Sequence, residues 1–144
     1  EPFSRRANIP LADLVPGLSG QAAALVRPRD LASAYGIPGV DVLSSMTLMT
    51  LLEQAAIAAI APHLGPEDMT VGARMEMDHL APTPEGLTVT VTAQLSEVKG
   101  RKLVFVIQAQ DGVEEVCRAL HVRFVVDKPK FLAGVAAKAA RVRG

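Results

Sequence analysis

Residues 42–66 read VLSSMTLMTLLEQAAIAAIAPHLGP. This is the most apolar stretch of the chain, and setting His63 aside its one charged residue is Glu53. Met46, Met49, Leu52, Ala56, Ile57 and Ile60 recur at three- and four-residue spacing, which predicts one long helix with an apolar face. Ser44 or Ser45 can cap its start. The stretch is long enough to weigh as a membrane span, but Glu53, Gln54, four hydroxyl residues and Pro62 interrupt it. We therefore read it as the buried helix of a soluble domain. Glu53 stands four residues after Met49 and four before Ile57, on or at the edge of the apolar face. An ionised carboxylate there has to be paired, protonated or open to a polar pocket. From the residues alone, a glutamate that swings to solvent or bridges to a strand arginine explains the position as well as a site does.

After the helix the period changes from helical to alternating. In residues 69–80 (MTVGARMEMDHL) Val71, Ala73, Met75, Met77 and His79 fall on one face, and Thr70, Gly72, Arg74, Glu76 and Asp78 on the other. Beyond the turn APTPEG, Leu87, Val89, Val91, Ala93 and Leu95 alternate with polar residues, which reads as a half-buried strand. Lys99-Gly100 and Asp111-Gly112 are hairpin signals that bracket RKLVFVIQAQ and lead into VEEVCRALHVRFVV. Upstream, residues 17–27 supply a first strand ended by Pro28, and Asp30 is placed to cap the short turn DLASAYG. Helix, then strands joined by hairpins, is an α+β architecture with an antiparallel sheet on one long helix. The expected division is an extended lead-in over residues 1–16, one domain over 17–131, and a basic C-terminal helix or tail over 132–144.

Composition narrows the partners. The chain has 144 residues, enough for one core but not two. Fifteen Lys and Arg balance fifteen Asp and Glu, which argues against nucleic acid. One cysteine, Cys117, excludes an internal disulfide and points to a reducing cytoplasm. The opening EPFSRRAN lacks the apolar run of a signal peptide. No nucleophile elbow, phosphate loop, dinucleotide fingerprint or metal-spaced cluster is present, so no cofactor or metal is expected.

Few residues remain for chemistry. His79 shares a face with Met75 and Met77, where a lone histidine is more often a hydrogen-bonded core residue than a catalytic one. Ser45 is eight residues before Glu53; if both are helical they stand about 12 Å apart and cannot bond directly. The simplest reading of Ser45 is an N-cap. His121 and Arg123, sharing a face with Cys117 and Ala119, read as a solvated outer pair. Cys117 reads as packing.

The order of elements resembles a hot-dog-fold thioesterase, closest to the fluoroacetyl-CoA thioesterase family, over roughly residues 17–131. The strings that carry it are MTLLEQAAIAAIAPHL, Val71-Gly72, His79 with APTPEG, LTVTVTAQL, and His121-x-Arg123. The resemblance implies hydrolysis of a small or medium acyl-CoA thioester by a hydroxyl residue, a helix glutamate and a strand histidine, here Ser45, Glu53 and His79. It further implies that Gly72 approaches the thioester, that Arg123 lies near the site, and that the protein is a homodimer with paired sheets and sites at the subunit interface. Glu53 acts there as base or as nucleophile. Arg74, Arg101, Lys102 and Arg118 are the cations on which CoA phosphates can draw. The family's usual threonine is Ser45 here. Its aromatic lid is replaced by AYGIPGVDVLSS, with Tyr35 as the one aromatic and substrate-facing candidate. Fluoroacetyl selectivity is therefore not carried over. A dehydratase or hydratase on acyl-CoA or acyl-carrier-protein thioesters, and a non-catalytic acyl-CoA-binding domain, remain the alternatives.

Overall fold

The computed structural model describes residues 13–144, so most of the lead-in expected over residues 1–16 lies outside the described residues. Five strands, β1 (Ser19–Leu25), β2 (Asp68–His79), β3 (Thr88–Lys99), β4 (Lys102–Gln110) and β5 (Glu115–Asp127), form one sheet in the order β1-β3-β4-β5-β2. Every pairing is antiparallel. The hairpins at Gly100 and Gly112 turn through positive φ, 62° and 86°, as the Lys-Gly and Asp-Gly pairs lead one to expect. Helix α1 (Ser45–Ile60) packs chiefly on β1 and β3. A second helix, α2 (Lys128–Arg143), follows β5; Asp127 caps it by accepting from the Lys130 N–H at 3.1 Å. This is the expected α+β arrangement.

The segment between β1 and α1 departs from the reading in one respect. Asp30 does not cap the turn after it. It closes the 3-10 turn Pro28–Asp30, and its carboxylate accepts from the Arg27 N–H at 2.9 Å. The next turn, Ala32–Tyr35, ends at Gly36 with φ 94°.

Helix α1 is rotated relative to the expected face. Leu48, Leu51, Leu52, Ala55, Ala56, Ala59 and Ile60 are buried, whereas Met46, Met49 and Ile57 are 60%, 38% and 42% exposed. The reason is the close approach of β1. A Cβ on Gly20 would lie 2.3 Å from the Ala59 nitrogen and 2.5 Å from the Ala55 carbonyl oxygen, so only the alanine-rich row fits against the strand. The expected stripe of Met46, Met49 and Ile57, with Glu53 among them, runs along the flank instead. Residues 45–63 are long and apolar enough to cross a membrane; in this fold they are the helix against which the sheet packs, with Leu48, Leu52 and Ile60 fully buried.

Because the Gly20 contact is with helix backbone, no side-chain shift can relieve it. Gly20→Ala is expected to destabilise the fold by about 3 kcal/mol, the upper end of ordinary overpacking. Urea unfolding measures this, and an unchanged midpoint would show that the helix does not lie so close.

Candidate active site

Strand β2 carries the first half of the site, through an irregularity that strict alternation hides. Gly72 pairs with Arg123, but Arg74 pairs with Val122, so Ala73 is an extra residue in the ladder. A β-bulge of this kind switches which face the following side chains take. Before it, Thr70 and Gly72 face α1; after it, Met75, Met77 and His79 do. The expected inward face of Val71 and Ala73 is therefore wrong, and Ala73 is exposed. Gly72 and His79, opposite by alternation, come to the same side.

Ser45 and His79 are in direct contact. Ser44 is the N-cap of α1, its Oγ accepting from the Thr47 N–H at 3.0 Å. That leaves the Ser45 hydroxyl, on the first helical residue, free to meet His79 Nδ1 at 2.9 Å. His79 Nε2 is buried and makes no hydrogen bond. Burial pushes the His79 pKa below its ordinary value, against an opposing influence of the Ala81 backbone. The imidazole is thus neutral at pH 7, and a neutral ring can accept the serine proton on Nδ1.

Glu53 and Arg123 form the second pair. Arg123 Nη1 donates to Glu53 Oε2 at 2.9 Å, the strand-arginine bridge open to Glu53 from the sequence. The pair is lopsided: the Arg123 side chain is 5% exposed and that of Glu53 44%. Arg123 also donates from Nε to the Thr70 hydroxyl at 2.9 Å and from Nη2 to the Thr70 carbonyl at 3.1 Å. His121 completes the cluster. Its Nδ1 lies 2.8 Å from the Arg74 carbonyl and its Nε2 3.2 Å from Arg123 Nη1. His121 and Arg123 are 2% and 4% exposed, so the outer solvated pair expected from the sequence is an inner one. Cys117 and Ala119 do share their face, but β5 turns that face to the core. A Cβ on Gly72 would come within 3.1 Å of Glu53 Oε2 and 3.2 Å of Arg123 Nη1, so the glycine leaves room for the ion pair.

A cavity of about 360 Å³ joins the two halves, lined by Tyr35, Ser45, Met46, Met49, Thr50 and Glu53. Its walls are the flank stripe of α1 and Tyr35, whose hydroxyl lies 3.2 Å from the Thr47 hydroxyl. Ser45 and Glu53 do not touch, yet both open onto this space. Thr70 and His121 are the site residues that sequence reading missed. Arg101 is buried, 7% exposed, and donates to the Val125 carbonyl at 3.3 Å, so it is no rim cation for phosphate. Arg118 is exposed and paired with Glu115. The Cys117 thiol is buried and pushed up to about 11, mainly by desolvation, which fits packing and not nucleophilic chemistry.

Residues 26–129 match the family model described as the fluoroacetyl-CoA-specific thioesterase. The chain belongs to that family. The fluoroacetyl-CoA thioesterase of Streptantibioticus cattleyicolor is 41% identical over 98 residues, which are 68% of this chain and 70% of that protein. Among solved structures, a threonine-to-serine variant of the fluoroacetyl-CoA enzyme FlK in complex with acetyl-CoA superposes with a TM-score of 0.81 at 34% identity. That match covers 87% of this chain and 98% of the other. A hot-dog-like protein from Thermanaerovibrio acidaminovorans gives 0.79 at 24% identity over 85% and 91% of the two chains, a likeness of fold alone. The long helix on an antiparallel sheet is the hot-dog fold.

Both inner histidines have depressed pKa values with burial as the first cause. The unfolded chain therefore binds protons that the folded chain resists, and stability falls as the pH drops below the ordinary histidine value of about 6.5. His79→Asn is expected to flatten the decline of Tm between pH 7 and pH 5. A slope equal to that of the native chain would contradict the burial assigned to His79.

Proposed function

We propose that the protein hydrolyses a small or medium acyl-CoA thioester to the free acid and CoA. The observation that carries this reading is the shared cavity, onto which Ser45, bonded to His79, and Glu53, bonded to Arg123, both open. Family membership supplies the reaction class, and the apolar lining by Met46, Met49 and Tyr35 suits a short acyl group.

In the general-base route, Glu53 takes a proton from water as the water oxygen bonds to the thioester carbon. The tetrahedral oxyanion collapses with cleavage of the C–S bond, and the CoA thiolate leaves and is protonated. In the nucleophilic route a Glu53 oxygen attacks the same carbon, CoA leaves, and water opens the resulting anhydride. Arg123 holds one carboxylate oxygen in either case. The Ser45–His79 pair orients the leaving group and hydrogen-bonds the departing sulfur; the thiolate takes its proton from water, and Glu53 returns the proton it took to water as the acid leaves. The bulge leaves Ala73 outside the β2–β5 ladder, so backbone N–H near Gly72 is the donor proposed for the oxyanion. Lys102 and Arg118 remain proposed contacts for CoA phosphates.

We further infer a cytoplasmic homodimer. β2 is a 12-residue edge strand, and an edge of that length favours pairing with a second copy. Pairing there would bring the sheets of two chains together and set Gly72 and His79 at the interface. Sedimentation is expected to give twice the 15.2 kDa chain mass, and a monomer at working concentration would refute the dimer.

Free-thiol release over a panel of acyl-CoA and acyl-carrier-protein thioesters of graded length tests the reaction. Glu53→Gln, which keeps the shape and removes the charge, is expected to lower kcat by roughly 10²–10⁴-fold. Near-native turnover in a folded Glu53→Gln protein would remove Glu53 from the mechanism. Thermal stabilisation by CoA esters without thiol release would make the chain a binding domain. Repeated turnovers in H₂¹⁸O then test the nucleophilic route: label appearing in Glu53 requires a covalent anhydride opened at the Glu53 carboxyl carbon.

A further inference from the structure

The mechanism above uses Arg123 and leaves His121 without a role, although His121 is the more completely buried of the two. Its surroundings fix its chemistry. The Arg74 carbonyl at 2.8 Å is an acceptor with no hydrogen to give, so Nδ1 must carry the proton. Burial holds the ring neutral, with the Arg123 charge acting in the same direction. A neutral ring protonated on Nδ1 has a lone pair on Nε2, and Arg123 Nη1 lies 3.2 Å from it. The ring itself is held beside Phe105, with centroids 6.2 Å apart. Arg123 is thus gripped from three sides, by both oxygens of Thr70 and by His121 Nε2, before it meets Glu53.

Arg74 stands directly after the bulge, where the β2–β5 register shifts, and its carbonyl meets His121. One chain of contacts therefore runs from the edge strand through His121 and Arg123 to the carboxylate in the cavity.

We propose that His121 is a positioning residue: locked as the Nδ1–H tautomer by the Arg74 carbonyl, it orients the Arg123 guanidinium and through it the Glu53 carboxylate. The assignment rests on the role proposed for Glu53, but the geometry it asserts does not depend on turnover. His121 does not reach the cavity, so its loss acts on kcat and leaves KM nearly unchanged.

Two substitutions divide its two hydrogen bonds. His121→Asn keeps a donor where Nδ1 stands and removes the acceptor for Arg123; His121→Gln puts an amide oxygen near the position of Nε2. The expected result is a kcat lowered about tenfold to a hundredfold in His121→Asn, the usual range for loss of a group that orients a functional one. His121→Gln should recover most of it. A purely structural role would instead make kcat follow Tm in both variants. Native kcat in His121→Asn, or no recovery in His121→Gln, would overturn the proposal.

A second readout is independent of the reaction. ¹⁵N NMR of the full chain should show His121 as the Nδ1–H tautomer and a slowly exchanging guanidinium for Arg123, assigned by its absence in Arg123→Lys. In His121→Asn that guanidinium should exchange like exposed arginines. If its exchange is unchanged, His121 does not position Arg123, whatever the turnover. If the native chain releases no thiol while the NMR result holds, the hydrolase reading fails and the positioning assignment stands.

Discussion

One extra residue in β2 decides how the site can be assembled. In an uninterrupted strand, Gly72 and His79, seven residues apart, would point to opposite faces of the sheet. Ala73, standing outside the ladder between Gly72 and Arg74, turns both toward α1. The same irregularity lies directly before Arg74, whose carbonyl meets His121. Bulges next to functional sites serve to re-aim side chains. Here the re-aiming serves two groups at once, the glycine that makes room for Glu53 and the histidine that meets Ser45.

A buried guanidinium then fixes the rest. Arg123 cannot be deprotonated and is 4% exposed, so each N–H left without an acceptor would be costly. Thr70, His121 and Glu53 answer it. A salt bridge with both partners in water contributes little, but this one has a dry cation and a half-wet anion. The carboxylate is the softer member, and any polar partner it gains in the cavity has to compete with Arg123. The other end of the site is held by the frame around the helix start. The Leu43 N–H donates to the Thr83 carbonyl at 2.8 Å, the Thr83 hydroxyl to Asp111 at 2.9 Å, and the Ser44 N–H to the Asp30 carbonyl at 2.8 Å. The hairpin aspartate after β4 thus anchors the turn 81–86, on which the first residues of α1 rest.

Much of this was legible in the residues because it is local. Alternation in β3 is reproduced with Val89, Val91, Ala93 and Leu95 all fully buried. The Lys-Gly and Asp-Gly turns carry their own geometry, and the helix stripe bearing Glu53 is real. What escaped was set by contacts distant in sequence. Which stripe of α1 is buried depends on Gly20, more than thirty residues upstream of Ala55 and Ala59, and not on which side chains are most apolar. The inward turn of His121 and Arg123 depends on which face of β5 meets the helix, and a strand with polar residues at alternate positions invites the opposite assignment. The bulge leaves no mark in an alternating pattern except its failure. Periodicity does not group Ser45, Glu53, His79, Gly72, Arg123 and Tyr35; the family resemblance does.

The two halves of the cavity differ in electrical character, and that difference limits what each can do. Ser45 and His79 form a neutral pair, the ring discharged by burial, at the helix start. Glu53 and Arg123 form a charged pair about two turns further along. Neither pair can exchange a proton with the other across about 12 Å without an intermediary. A substrate whose carbonyl lies between them can meet the carboxylate side with its electrophilic carbon and the neutral side with its departing sulfur. Charge on the departing sulfur would then develop away from the Glu53–Arg123 pair, toward the serine hydroxyl that can hydrogen-bond it.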